Sequence, residues 1–216
     1  WNYYRHGYCK LIKPAKLYLI RHAPVRQIKG FFPEHNPDAI IKNSQLKILA
    51  TLIPNNCVWY VSPLKRAIQT AEALSKFVNY SEMVRENKLI EQNFGDWSGK
   101  KISDVWEVLK ECKTKHNFSF ISPDFSPPNG ESFKEQSKRV GIWLKKLNVL
   151  EGKSIVIISH AGTIRSILSH ALKIKNDYAI GIEIRHQSLN ILEMINKNDN
   201  RHKGGRFRLL ALNIEV

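Results

Sequence analysis

A short apolar run that stops on an arginine and a histidine constrains the fold of this chain more than any other feature. Residues 17–20 are Leu-Tyr-Leu-Ile, a composition typical of a buried strand, and Pro24 prevents the strand from continuing far. Arg21 and His22 therefore stand at the carboxyl end of a central strand, the edge where open α/β sheets bind ligands. A histidine there can be a nucleophile, a general base or a metal ligand, and the adjacent arginine favours an anionic substrate.

A second apolar run ends in the same way. Residues 154–158 are rich in β-branched side chains and lead into Ser159 and His160, after which residues 162–163 open a helix. Parallel strands end at the same edge of a sheet, so the two histidines are predicted to meet in one site. Two unrelated histidines that each cap a strand are the alternative.

The strand candidate at 58–61 is followed by a helix start. Ser62 is predicted as the N-cap and Pro63 as the first helical residue of a helix over 64–77. Arg66 then lies in the first turn, where its guanidinium adds to the anion preference of the helix N-terminus. A solvated surface arginine is the alternative.

Glu91 follows an apolar pair and precedes a loop that contains two glycines and two aromatic residues, Phe94-Gly95-Asp96-Trp97-Ser98-Gly99. A carboxyl group beside bulky aromatic rings is predicted to have a raised pKa and to act as a proton donor. Taken alone, a glutamate in such a segment is more often a surface residue.

The remaining pattern alternates helices and strands. Other helices are predicted at 44–53, at 102–112, from 129–132 to about Leu150 and from Gly162 onward, and an edge hairpin at 188–195 and 207–214. This alternation predicts one α/β domain over 16–216, a three-layer α/β/α sandwich with a mainly parallel central sheet. Residues 1–15 are predicted to form an irregular arm in which His6 is not catalytic.

Composition narrows the function further. The net charge of +15 is compatible with nucleic-acid binding or with an electrostatic funnel for phosphorylated small molecules. The basic residues are spread along the chain and form no tail or RNA-binding motif, so we favour a small phosphorylated substrate over nucleic acid.

The three cysteines, Cys9, Cys57 and Cys112, are too far apart to indicate a disulfide framework or a metal cluster, which favours a reducing, cytoplasmic compartment. No apolar stretch has the length of a membrane span, and no signal peptide is visible. Because the chain starts at Trp1 without a methionine, targeting is left open.

Five residues are thus predicted at one sheet edge: Arg21, His22, Arg66, Glu91 and His160. The histidines are accompanied by arginines and not by further metal ligands, so we expect neither a metal nor a cofactor. Arginines and helix-start amides form a phosphate clamp, in which a histidine is best interpreted as a nucleophile toward phosphorus. Phosphate would pass to His22 and then to water, with Glu91 as the proton donor to the leaving group.

The sequence resembles the histidine phosphatase superfamily, which has the phosphoglycerate mutase-like fold. The matching segments, in the family's order, are 19–23, 62–71, 89–99, 129–132 and 159–165. The resemblance implies that His22 is the phosphorylated histidine, that Glu91 is the proton donor and that phosphate is bound by a set of four residues: Arg21, Arg66, His160 and Ala161.

The chain departs from the family pattern at three positions. Ala23 stands where the family usually has glycine, and Val25 and Ile28 replace a threonine and an asparagine found in many members. Arg26 is a candidate to replace the lost polar contact.

The chain looks most like the small phosphatases of the superfamily, in particular the α-ribazole phosphatases, and we expect a monomer or a homodimer. A phosphoglycerate mutase and a non-catalytic phosphate-binding module are the alternatives.

Overall fold

A computed structural model describes residues 13–111, 116–119, 121–195 and 204–216. His6, Cys9 and Cys112 lie outside the described residues, and the first strand begins at Ala15, the last residue of the predicted arm. The strands are β1 Ala15–Arg21, β2 Cys57–Val61, β3 Tyr80–Arg85, β4 Ser154–Ser159, β5 Leu189–Met194 and β6 Phe207–Ile214. The α-helices are α1 Asn43–Thr51, α2 Lys65–Leu74, α3 Ile102–Glu111, α4 Phe133–Lys146, α5 Ala161–Leu172 and α6 Asn176–Ile180.

The six strands form one sheet in the order β3-β2-β4-β1-β5-β6. β1 and β2 both pair with β4 in parallel, and β2 pairs with β3 in parallel. β5 runs antiparallel to β1, and β6 runs antiparallel to β5 at the edge. The predicted mainly parallel α/β sheet and the edge hairpin are confirmed.

Helices cover both faces of the sheet because the central strands are apolar on both sides. Leu17 and Leu19 of β1 pack in a core cluster with residues of α4 and α5, such as Val140 and Ile164. Ile20 of the same strand packs in the opposite cluster with residues of α1 and α2. Successive side chains of a strand point to opposite faces, so the run 17–20 supplies both cores and produces the predicted three-layer arrangement.

Three predicted helix ends are wrong, and one of them is the end of α2, which lies at Leu74 and not near Phe77. α2 begins at Lys65 with Leu64 in the N-cap position, so Ser62 is not the N-cap. The Ser62 hydroxyl lies 2.7 Å from Nε2 of His160, a contact that depends on the distant strand β4. α4 ends at Lys146 and not near Leu150, although its start is as predicted, with Ser132 and Glu135 forming a capping box.

Strand β3, Tyr80–Arg85, was not predicted from the sequence. Its side chains are mostly exposed and show no clear alternation, because it is the outermost strand of the sheet and has a neighbour on one side only. None of the described helices is long and apolar enough to cross a membrane.

Candidate active site

The two predicted histidines lie side by side at the carboxyl edge of the sheet. His22 follows β1 and His160 follows β4, and these strands are parallel neighbours with Arg21 opposite Ser159. The ring centroids are 5.0 Å apart, and both side chains are buried. The structure therefore brings together the two imidazoles that the strand ends predicted.

The hydrogen bonds of His22 define its tautomer. Nδ1 lies 2.7 Å from the carbonyl oxygen of Ala23, and only an N–H can donate to that oxygen. Nε2 therefore carries the lone pair, and it accepts a hydrogen bond from Nε of Arg66 at 3.2 Å. Burial, His160 and Arg66 hold the pKa of His22 well below its usual value, so the ring is neutral and Nε2 is available as a nucleophile.

Four arginines line the cavity beside His22, and three of them are buried or half-buried: Arg21, Arg66 and Arg165. Burial lowers the pKa of each, for Arg21 to about 10. Among the described residues none of the three forms an ion pair, and Nε of Arg21 is buried without a hydrogen-bond partner. Buried arginines that lack a carboxylate partner are suited to an anionic ligand.

His160 presents one unpaired nitrogen. Nε2 of His160 lies 2.7 Å from the Ser62 hydroxyl, which also accepts from the amide of Leu64. In the tautomer in which this hydroxyl donates to Nε2, the proton of the ring is on Nδ1. Nδ1 is buried and has no partner in the described part of the chain. Burial and the nearby arginines lower the pKa of His160 well below its usual value, so it can act as a neutral donor to an anion.

Glu91 enters the same cavity at the N-terminus of α5. Its Oε1 accepts from Nε2 of Gln136 at 2.8 Å and from the Gln92 amide at 3.1 Å, and its Oε2 accepts from the Gly162 amide at 3.1 Å. Burial raises the pKa of Glu91, but these hydrogen bonds and Arg66 outweigh it, and the pKa lies below its usual value. The expected raised pKa is wrong, because donors and not aromatic rings surround the carboxylate.

His186 completes the site and was not predicted. Its Nε2 accepts from a terminal nitrogen of Arg21 at 2.9 Å, and its Nδ1–H donates to the carbonyl of His22 at 3.1 Å. Burial and Arg21 lower its pKa to about 4, so it stays neutral. His186 stands just before β5, and the start of an antiparallel strand beside β1 lies next to the end of β1. This position could be predicted from the sequence only if the order of the strands in the sheet were already known.

The departures from the family pattern are accommodated locally. Ala23 is buried, has an ordinary negative φ and donates its amide hydrogen to Thr70 Oγ1 at 2.9 Å. Its methyl group therefore causes no backbone strain. Val25, Arg26 and Ile28 all line the cavity, as does Ala161 at the start of α5.

The cavity has a volume of about 670 Å³. Besides the arginines, its lining includes a set of apolar side chains: Ile28, Phe31, Phe32, Phe94, Ile102, Ile121 and Phe133. The size is typical of sites for whole small molecules and leaves room for a body beyond a phosphate group. In the described part of the chain, no three histidine, cysteine, aspartate or glutamate side chains cluster as metal ligands would.

The sequence is similar to a family of known proteins and to individual members of it. The family model of the histidine phosphatase superfamily (branch 1) matches residues 43–207. Phosphoserine phosphatase 1 of Hydrogenobacter thermophilus is 29% identical over 167 residues, covering 71% of this chain and 74% of that protein. A 2,3-bisphosphoglycerate-dependent phosphoglycerate mutase of Parvibaculum lavamentivorans is 28% identical over 132 residues, covering 59% of this chain and 62% of that protein.

Solved structures show the same fold. The alpha-ribazole phosphatase from Shigella flexneri superposes with a TM-score of 0.71 at 22% identity, covering 92% of this chain and 96% of that one. The sequence match begins at residue 43, after β1, whereas the structural match extends over nearly the whole chain.

Proposed function

This chain belongs to the histidine phosphatase superfamily, and from that membership we propose that it is a phosphomonoesterase that works through a phosphohistidine on His22. Relatives are named phosphatases and phosphoglycerate mutases, which supports an enzyme of phosphoryl chemistry. The hydrolytic reaction, its substrate and the role of each residue are our proposal.

The observation that carries the proposal is the lone pair of His22 Nε2 among buried arginines without carboxylate partners. A neutral nucleophile needs an electrophile, and a cluster of cations selects an anionic one. A phosphate monoester meets both requirements. Arg21, Arg66 and His160 would bind its non-bridging oxygens, with the start of α5 at Ala161 beside them.

The first step transfers the phosphoryl group. The Nε2–P bond forms while the ester P–O bond breaks, and the leaving alkoxide takes a proton from Glu91. Glu91 is ionised in the empty site, and the negative charge of the bound phosphate raises its pKa so that it can carry this proton.

The second step returns the enzyme to its starting state. Water attacks phosphorus, the ionised Glu91 takes the proton of the water, and the N–P bond breaks to give inorganic phosphate. His22 returns to its neutral tautomer through the bond from Nδ1–H to Ala23.

The cavity supports a substrate with a sizeable, partly apolar body. Its lining combines apolar side chains with the arginines beside His22, and Arg26 and Lys29 also line it. α-Ribazole phosphate is a specific candidate of this kind. Phosphoglycerate mutase activity is the second candidate, and the relationship to a mutase at 28% identity favours testing it.

A panel of phosphorylated metabolites tests the proposal directly. We expect release of inorganic phosphate from one or more monoesters, with α-ribazole phosphate among the better substrates. A parallel assay with 3-phosphoglycerate and a bisphosphate primer measures mutase activity. Phosphate exchange between hydroxyls without net hydrolysis would replace the phosphatase with the mutase, and no reaction with any ester would favour the non-catalytic module.

A further inference from the structure

Gln136 on α4 contacts the carboxylate of Glu91 from behind the cavity. It is fully buried, and its Nε2 lies 2.8 Å from Oε1 of Glu91 and 3.2 Å from Oγ1 of Thr163. Its own Oε1 is buried without a hydrogen-bond partner among the described residues. A buried amide oxygen left unpaired in this way calls for an explanation.

The surroundings of the amide determine its orientation. The Thr163 hydroxyl donates to the carbonyl of Ile90 at 3.0 Å, so toward Gln136 it can only accept. The carbonyl of Ile90 itself lies 3.4 Å from Gln136 Nε2. Every group near Nε2 is thus an acceptor, and a rotated amide would place its oxygen against the Glu91 carboxylate. Because the amide must turn its NH₂ group toward Glu91, Oε1 of Gln136 is left without a partner among the described residues.

The same contacts distinguish the two oxygens of Glu91. Oε1 accepts two hydrogen bonds, from Gln136 and from the Gln92 amide, whereas Oε2 accepts one, from the Gly162 amide. Oε2 therefore keeps the greater capacity to take up a proton. The packing leaves little freedom to change this, because a Cβ at Gly162 would lie 2.4 Å from Glu91 Oε1 and 2.8 Å from Gln136 Oε1.

We propose that Gln136 is a positioning residue that saturates Oε1 of Glu91, confines the exchangeable proton to Oε2 and sets the pH range in which Glu91 alternates between acid and base. This inference rests on the proposed function of Glu91. It adds a residue that does not line the cavity and whose side-chain hydrogen bonds, among the described residues, go to Ile90, Glu91 and Thr163.

Other charged groups also act on Glu91, from every element around it. Those groups are Arg21 of β1, Arg66 of α2, Arg165 of α5 and Arg139 of α4, which donates to the main-chain carbonyl of Glu91. The imidazoles of His22 and His160 at the same sheet edge are neutral. The first three arginines also face the cavity, so replacing one would alter ligand binding as well as Glu91. Gln136 does not line the cavity, so its replacement acts on Glu91 without removing a cavity-lining cation.

The test is the pH dependence of turnover in Gln136→Met, which keeps the length of the side chain and removes the donor. Losing a donor to the carboxylate raises the pKa of Glu91. Because Glu91 must be protonated in the first step and ionised in the second, both limbs of the profile should move to higher pH, by about one unit. Ser137→Ala is the matched control. It removes a buried hydroxyl from the same helix, and this hydroxyl bonds His170 and Asn176, not Glu91.

A lower rate with both limbs in place would overturn the inference, because a purely structural role changes the height of the profile and not its position. If the methionine variant does not fold, Gln136→Glu retains the shape and places a second acid beside Glu91. That variant is expected to shift the profile in the same direction.

Sulfate binding separates this inference from the proposed function. Sulfate is a tetrahedral dianion that does not titrate between about pH 4 and pH 8. The pH above which its affinity falls depends on the titratable groups of the site, including Glu91 and His186, and the change of this pH between a Gln136 variant and the wild type reports Glu91. Calorimetry should show this pH raised in Gln136→Met or Gln136→Glu and unchanged in Ser137→Ala. A raised midpoint in a protein without phosphatase activity would refute the proposed function only, and an unchanged midpoint would refute the role of Gln136.

Discussion

Nε2 of His22 carries its lone pair only because the other ring nitrogen is bonded to the carbonyl of Ala23, its own neighbour. The proposed nucleophile is therefore oriented by the backbone of the turn that follows β1. The same turn is held by the bond from the Ala23 amide to Thr70 on α2. Alanine at position 23 preserves both bonds, because each uses backbone atoms.

The hydrogen bonds of His186 lead to a prediction about a single side chain. His186→Phe keeps the ring and removes the hydrogen bonds to Arg21 and to the carbonyl of His22. A guanidinium without this anchor binds phosphate less well, and we expect KM for a phosphomonoester to rise about five- to tenfold with a smaller change in kcat. Steady-state kinetics measures the effect. His186→Gln, which retains a donor and an acceptor, is the control, and equal KM values in the phenylalanine variant and the wild type would refute the role.

The sequence predicts side chains that stand at the end of a strand or the start of a helix. His22 and His160 are in this position, and their meeting follows from two parallel strands. His186 and Arg165 could not be predicted, because their places depend on which strand lies beside β1 and on how the turn of α5 faces the cavity. The pKa direction of Glu91 was missed for a related reason, since its donor Gln136 comes from a distant helix.

At the scale of elements, the loop that follows Glu91 is joined to the loop before α4. The amide of Asp96 donates to the carbonyl of Pro128 at 2.9 Å, and Asn129 donates to the Asp96 carboxylate at 3.0 Å. Gly95 has a φ of +53°, and a Cβ there would lie 2.1 Å from the carbonyl oxygen of Pro128. This close backbone approach requires glycine.

Gly95→Ala is therefore expected to lower the free energy of unfolding by about 3 kcal/mol, from the left-handed backbone and the clash together. Gly30→Ala is the matched control, because Gly30 has a φ of +84° but no atom within 4 Å of the added Cβ. Its loss should be about 1 kcal/mol, from the backbone alone. Denaturant unfolding measures both values, and equal losses would show that the contact with Pro128 does not matter.

The helices and central strands were predictable because their apolar periodicity records which face is buried. β3 was not, because an edge strand with exposed side chains has no such pattern. The N-cap of α2 lies two residues later than predicted, at Leu64, while the hydroxyl of Ser62, a good N-cap by type, contacts His160 after β4.

At the scale of the whole molecule, the site places buried neutral histidines in a chain with a net charge of +15. The pKa values of His22 and His160 lie well below the usual value, and that of His186 is about 4. All three stay neutral in the folded protein at a pH where they would be protonated in the unfolded chain. The neutral histidines therefore lower the free energy of unfolding at acidic pH.

We therefore predict that the substrate-free protein loses stability as the pH falls below about 6.5, the ordinary histidine pKa. The unfolded state binds more protons in this range, so the free energy of unfolding decreases toward the folded pKa values. Glu91, whose folded pKa is lowered, adds a further loss only at lower pH, below the ordinary pKa of a glutamate. Thermal unfolding at constant ionic strength measures the effect, and a constant Tm between about pH 7 and pH 5 would contradict the neutral assignments.

The central claim is that phosphate passes through His22. Rapid quenching of the enzyme during turnover of a ³²P-labelled monoester should trap one phosphate on this histidine, labile in acid and stable in base, located by peptide mapping. His22→Ala should carry no label and have no measurable turnover. Hydrolysis by His22→Ala at the wild-type rate, or turnover by the wild type with no histidine-bound phosphate at any time, would contradict the account.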